Sequence, residues 1–228
     1  MIDVRAAETF LSRTDPVMKR LVGELGPCTL RRMRGMTPYH ALVRAVAHQQ
    51  LHGVAAERIL GRLSALTAGP GLPEPGELLA MSEQTLRGVG FSGAKARSLH
   101  DIAAKTVEGI IPAARALARL DDETIIERLT EVRGVGRWTV EILLLRAGRP
   151  DVLPADDFGL RSGMRAAYGK RTLPTAKQLR AFGERWRPHR SVASWYLWQA
   201  ANAARRSAAK GGPARKRAGG AKAPARAR

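Results

Sequence analysis

The stretch from residue 129 to 145, LTEVRGVGRWTVEILLL, restricts the fold more than any other part of the chain. One apolar helix ends at Gly134-Val135-Gly136 and a second apolar helix starts at once. Two glycines around one apolar residue predict a tight turn with positive φ that another backbone can approach closely. The free N–H groups of such a turn, at a helix N-terminus, form an anion site suited to a phosphate. Alone, the pattern fits a plain helical hairpin equally well.

The rest of the chain repeats the helical theme. Apolar residues recur at helical spacing in Leu42/Val43/Val46/Ala47, Ile59/Leu60/Leu63 and Leu99/Ile102/Ala103. The same spacing recurs in Ile125/Ile126/Leu129, Val140/Leu143/Leu144 and Trp195/Leu197/Trp198. Start signals precede several of these runs: Thr37-Pro38, Ser82-Glu83 and Asp121-Asp122-Glu123. Loops are predicted at residues 68–76 (AGPGLPEPG) and 148–154 (GRPDVLP), and no segment needs to be a strand. The fold class is therefore all-α. At 228 residues the chain has room for one large domain or two small lobes.

Charge narrows the partners. Lys plus Arg number 39 against 20 acids, so 39 − 20 = +19, a field that concentrates polyanions and nucleic acid above all. Residues 205–228 hold nine of the basic residues, no acid and no large apolar side chain, and read as a disordered basic tail. That tail is either a solvated extension or an arm that tethers the protein to DNA. Without it the remainder keeps 30 − 20 = +10. The single Cys28 excludes an internal disulfide and any four-cysteine metal site. No apolar run is long enough to span a membrane, and MIDVRAAETF is no secretory signal, so an intracellular, cytoplasmic location is expected.

Four segments in order resemble the helix-hairpin-helix DNA glycosylase superfamily, and specifically its AlkA-type 3-methyladenine DNA glycosylase II branch. They are YHALVRAVAHQQLHGVAAERILGRL (39–63), GFSGAKARSLHDI (90–102), the hairpin with the following DVLPADDFGLR (151–161), and RWRPHRSVASWYL (185–197). The resemblance covers about residues 37–203. Only some 36 residues precede Thr37, which suits a compact form without the mixed α/β domain of longer members. It implies two helical lobes, residues 1–36 with 150–204 and residues 37–149, with the active cleft between them.

The same resemblance assigns roles. Asp157 matches the catalytic aspartate, and Asp156 is expected to be its neighbour and a helix cap. Without the hairpin, both acids would be read only as favouring a helix N-terminus. Lyase-type relatives carry a Lys where this chain has Trp138, and a tryptophan cannot form a Schiff base with the sugar, so a monofunctional glycosylase is implied. Trp138 and Phe158 are the candidates for the base pocket, each weighed against plain core packing; Trp195 and Trp198 lean towards the core. Val140 and Ile142 stand where some members have aromatics, which bears on the range of bases accepted.

The turn Gln49-Gln50-Leu51-His52 matches the loop that fills the gap left by a flipped base, with Gln50 or Leu51 entering and Gln49 contacting the opposite strand or pocket edge. Arg137 and the N–H groups of Gly134 and Gly136 are expected on phosphates. By analogy the main-chain carbonyls of Thr130, Val132 and Val135 would hold a monovalent cation, Na+ or K+. His48 and His52 have no third ligand and are not read as a metal site, and no redox or organic cofactor is implied. Arg161, Lys95 and Arg190 read as solvated or structural charges.

The expectation is a monomer that removes alkylated purines, 3-methyladenine first, from duplex DNA. Alternatives on the same scaffold are deaminated or oxidised purines. From another class come a non-enzymatic DNA-binding protein, which gives Asp157, Trp138 and the Gln49–Leu51 loop no purpose, and an RNA- or ribosome-associated basic protein, which explains the charge but not the order of the motifs.

Overall fold

The computed structural model describes residues 2–30, 35–51 and 53–210, and the main chain alone at Lys210. In chain order the helices are α1 (Val4–Thr14), α2 (Pro16–Leu25), α3 (Pro38–His48), α4 (Gly53–Ser64), α5 (Pro75–Ala80), α6 (Glu83–Gly88) and α7 (Gly93–Val107). There follow α8 (Ala114–Leu117), α9 (Asp122–Thr130), α10 (Arg137–Arg146), α11 (Phe158–Ala167), α12 (Ala176–Gly183), a 3-10 turn (Glu184–Trp186) and α13 (Arg190–Lys210). Among the described residues there is no strand, and the molecule is all-α. The expected start signals act as caps: Thr37, Ser82 and Asp121 each accept from a backbone N–H three residues on. The loop expected at 68–76 is shorter, because Pro75 and Gly76 open α5, where a proline costs no hydrogen bond.

Two apolar cores meet where the chain passes from Val152 to Leu153. One is built from α3 to α10 and includes Leu42, Leu63, Leu99, Leu129, Val140 and Leu144. The other joins α1 and α2 to the C-terminal helices through Leu11, Met18, Leu160, Trp186 and Tyr196. Burying each large side chain contributes roughly 1.5–3 kcal/mol, so each core is a substantial source of stability in its own right. Asp15 ties the two ends of the chain together. It caps α2 through the N–H groups of Val17 and Met18, and it accepts from Trp186 Nε1 (3.0 Å) and Tyr168 Oη (2.7 Å).

Gly163 sets the tightest helix contact. A Cβ there would lie 1.9 Å from the carbonyl oxygen of Leu197, so only glycine lets α11 press against α13. Residues 205–210 of the expected tail are helical. Helix α13 runs on through Arg205 and Arg206 to Lys210, because Ala203, Ala204, Ala208 and Ala209 favour helix enough to carry the adjacent basic residues with them. The remainder of that tail, 211–228, lies outside the described residues.

Candidate active site

Asp157 sits at the seam of the two cores. Its backbone is extended, and its Oδ1 accepts from Leu160 N at 2.7 Å, so Asp157 itself is the N-cap of α11. This corrects the expectation that Asp156 is the cap. Asp156 instead forms an ion pair with Arg180. The order follows from chain geometry: the residue immediately before the first helical one is placed to reach the third N–H, and here that residue is Asp157.

Two indoles hold the rest of the Asp157 carboxylate. Trp138 Nε1 donates to Oδ2 at 3.1 Å, and Trp198 Nε1 donates to Oδ1 at 2.8 Å. Trp138 comes from the first turn of α10, in the hairpin core, whereas Trp198 comes from α13. The carboxylate is therefore oriented from two helices at once, α10 and α13. Core packing was the favoured expectation for Trp198, with one of Trp195 and Trp198 at the pocket as the alternative. Trp198 does touch both cores, but its N–H needs a partner and finds it in Asp157. The close α11–α13 contact at Gly163 delivers it there. Trp195 stacks edge-on against Tyr196 and stays with the C-terminal core.

Trp138 and Phe158 are 43% and 69% exposed, values that place large apolar surfaces in solvent beside the carboxylate rather than in a core. Leu51 is likewise 40% exposed. Gln50, next to it, has φ 55, a left-handed conformation that only strain or local bonding maintains in a residue with a side chain. Gln49 Nε2 donates to the Gly134 carbonyl at 2.9 Å, which brings the glutamine loop against the hairpin turn. His48 pairs with Glu57 at 3.0 Å, and His52 lies outside the described residues.

In the hairpin only one of the two flanking glycines has positive φ. Gly134 stands at φ 76, and a Cβ on it would lie 2.5 Å from Ser98 Oγ; Gly136 has φ −93 and is the extended N-cap of α10. One left-handed residue suffices to reverse the chain, because the capping position needs an extended residue. Gly136 has no side chain to cap α10; Thr139 N donates back to the Gly136 carbonyl at 2.9 Å, which leaves the N–H groups of Arg137 and Trp138 for an outside acceptor.

Arg137 departs from the expectation of a phosphate contact. Its NH1 and NH2 donate to the two oxygens of Glu123 at 2.9 and 2.6 Å, and its Nε donates to Glu141 Oε1 at 3.0 Å. The guanidinium thus bolts α9 to α10, since carboxylates four residues on and on the preceding helix lie within its reach. Burial pushes the Glu141 carboxyl above its ordinary range, while the Arg137 hydrogen bond holds Glu123 below it. Arg190 is similarly spent on Asp151 (2.7 Å) and Glu184 (3.2 Å). Neither pair could have been found from local spacing alone, because Glu123 and Asp151 lie on other segments.

Thr130 turns its hydroxyl back onto the Ile126 carbonyl (2.8 Å), and the Val132 carbonyl accepts from Val135 N at 3.0 Å. Among the described residues no group of three or more His, Cys, Asp and Glu is placed to hold a metal, and no helix is long and apolar enough to cross a membrane.

The model of the HhH-GPD superfamily of base excision DNA repair proteins matches residues 43–188, and the chain belongs to that superfamily. Over 195 residues, 85% of this chain and 86% of the relative, it is 42% identical to DNA-3-methyladenine glycosylase 1 of Schizosaccharomyces pombe. Among solved structures it is similar to the Schizosaccharomyces pombe 3-methyladenine DNA glycosylase (Mag1) in complex with abasic DNA, with TM-score 0.76, 41% identity, and 85% and 95% of the two chains covered. It is also similar to the DNA-3-methyladenine glycosidase of Bacillus halodurans, with TM-score 0.79, 30% identity, and 90% and 92% covered.

Proposed function

We propose that this protein is a monofunctional DNA glycosylase that excises alkylated purines, 3-methyladenine first, from duplex DNA. The observation that carries the reading is Asp157, an acid held by Trp138, Trp198 and the Leu160 N–H beside two exposed aromatic faces. Alkylation at purine N3 or N7 makes the base cationic, so its bond to the sugar is already weakened. That bond breaks with its electrons passing to the base, and the sugar becomes oxocarbenium-like. The fixed carboxylate stabilises this positive charge and takes a proton from the water that attacks C1′. The products are free base and an abasic site.

The target base must leave the stack, which costs a few kcal/mol of unstacking. Trp138 and Phe158 offer faces that attract a cationic base, worth about 0.5–2 kcal/mol. Gln50 or Leu51 fills the gap, and the N–H groups of Gly134 and Gly136 hold phosphate at the open end of α10. The cleft lies between a lobe of residues 37–149 and one formed by the two chain ends, and the basic tail adds salt-dependent affinity. The protein works as an intracellular monomer without redox or organic cofactor. A monovalent cation on the carbonyls of Thr130, Val132 and Val135 fits the donor chemistry. These donors are neutral, and the carboxylate bonded to this turn, Asp101, is already taken by the Arg133 N–H and Lys105.

The test is release of free base from methylated duplex DNA by the wild type and by Asp157→Asn. Release of 3-methyladenine by the wild type alone, with strand breaks appearing only after alkali, is expected. No release by the wild type overturns the alkylation reading, and strand breaks without alkali overturn the monofunctional one.

A further inference from the structure

One face of α7 reaches both loops that would meet DNA. Lys95, Ser98, Asp101 and Lys105 follow one another at helical spacing. Lys105 Nζ donates to the Glu131 carbonyl at 2.5 Å and Asp101 Oδ2 accepts from Arg133 N at 2.6 Å, so these two hold the start of the hairpin turn. Ser98 Oγ occupies the space a side chain on Gly134 would need. At the other end, Lys95 Nζ donates to the carbonyls of Ala47 (3.0 Å) and Gln49 (2.7 Å), the last carbonyls of α3 and its cap. The contact between Gln49 Nε2 and the Gly134 carbonyl closes the triangle.

The placement of Lys95 is costly on its own helix. It lies in the first turn of α7, where a cation opposes the helix dipole, and burial lowers its pKa. The compensation lies on α3, whose C-terminal carbonyls favour a cation and would otherwise face it unpaired. Immediately after the clamped Gln49 comes Gln50 in its left-handed conformation. A strained residue persists only where its surroundings fix it, and Lys95 and Gly134 are the two anchors on its preceding neighbour.

We propose that Lys95 is a positioning residue for base excision: through the Ala47 and Gln49 carbonyls it holds the Gln49, Gln50 and Leu51 loop at a set distance from the Gly134 turn. Phosphate engagement at the hairpin and filling of the gap in the stack then happen in one binding event. This rests on the proposed function above and goes beyond it by assigning a residue that touches neither phosphate nor base.

The experiment compares wild type, Lys95→Met and Lys95→Arg for binding to an undamaged duplex and to the same duplex bearing a tetrahydrofuran abasic-site analogue. Thermal unfolding of each variant is measured alongside, and 2-aminopurine beside the analogue reports local stacking. Lys95→Met should bind undamaged duplex as the wild type does. Losing two charge-assisted hydrogen bonds should cut its preference for the analogue by about tenfold or more. Its 2-aminopurine signal should show an unfilled gap, and Lys95→Arg should recover most of the preference. An undiminished preference in a folded Lys95→Met overturns the proposal, as does an equal loss on both duplexes, which would mean charge alone. Should Lys95→Met fail to fold, Lys95→Gln, too short to reach both carbonyls, and Gln49→Ala decide, with an unaltered 2-aminopurine signal in both overturning the proposal. A wild type with no preference for the analogue and no base release would instead overturn the glycosylase reading itself, and this proposal with it.

Discussion

Trp198 Nε1 and Asp157 Oδ1 are 2.8 Å apart although 41 residues separate them in the chain. The bond crosses from the last helix to the cap of α11, and it complements the Trp138 bond that arrives from α10. Trp198→Phe keeps an aromatic ring and removes the donor. A hydrogen bond to a charged group is worth about 1.5–3 kcal/mol, so single-turnover excision should slow by roughly 10- to 100-fold. Affinity for undamaged duplex should hardly change. An unaltered excision rate would remove Trp198 from the site.

Gly134→Ala tests the hairpin. Alanine must adopt φ 76 and place its Cβ against Ser98 Oγ, for a cost of roughly 1–3 kcal/mol in urea denaturation. Adding Ser98→Ala removes the collision but not the backbone strain, so the double variant should recover only part of the loss. Full recovery would show that the left-handed backbone carries no cost here.

Burial pushes the Cys28 thiol from an ordinary value near 9.0 up to about 11. Below the lower value neither folded nor unfolded chain ionises there, and stability is unaffected. Between the two values the unfolded chain gives up a proton that the folded one keeps, so stability falls as pH rises. Relative to Cys28→Ala, the wild type should lose on the order of 2 kcal/mol across that window, read from urea midpoints at a series of pH values. In the folded state the thiol should also resist alkylation near neutral pH. Parallel pH curves for the two proteins would contradict the burial argument.

Much of this was legible because it is local. The apolar spacing of Ile125, Ile126 and Leu129, with Asp121 before it, specifies α9 and its cap without reference to the rest of the chain. Trp138 and Phe158 owe their place beside the carboxylate to their positions next to the hairpin and the aspartate, both carried by recognisable motifs. What escaped depends on long-range packing. Helical spacing puts Trp195 and Trp198 on one helix but does not say which faces a loop 41 residues earlier. Arg137 looks free for phosphate until α9 folds back and presents Glu123. The helix over residues 205–210 escaped because charge density changes at Arg205 whereas helix propensity persists through the alanines to Lys210.

Asp15 has a consequence for how the protein is made. Its partners Tyr168 and Trp186 follow it by 153 and 171 residues. Translation at about 5–20 residues per second leaves roughly 10–30 s between the emergence of Asp15 and of Trp186. Throughout that interval α1 and α2 have no core to join, whereas every buried member of the other core, from Tyr39 to Val152, has been made before Trp186 emerges. The middle of the molecule can thus fold on the ribosome while the first segment made waits for the last, and the seam that holds Asp157 closes only when synthesis is nearly over.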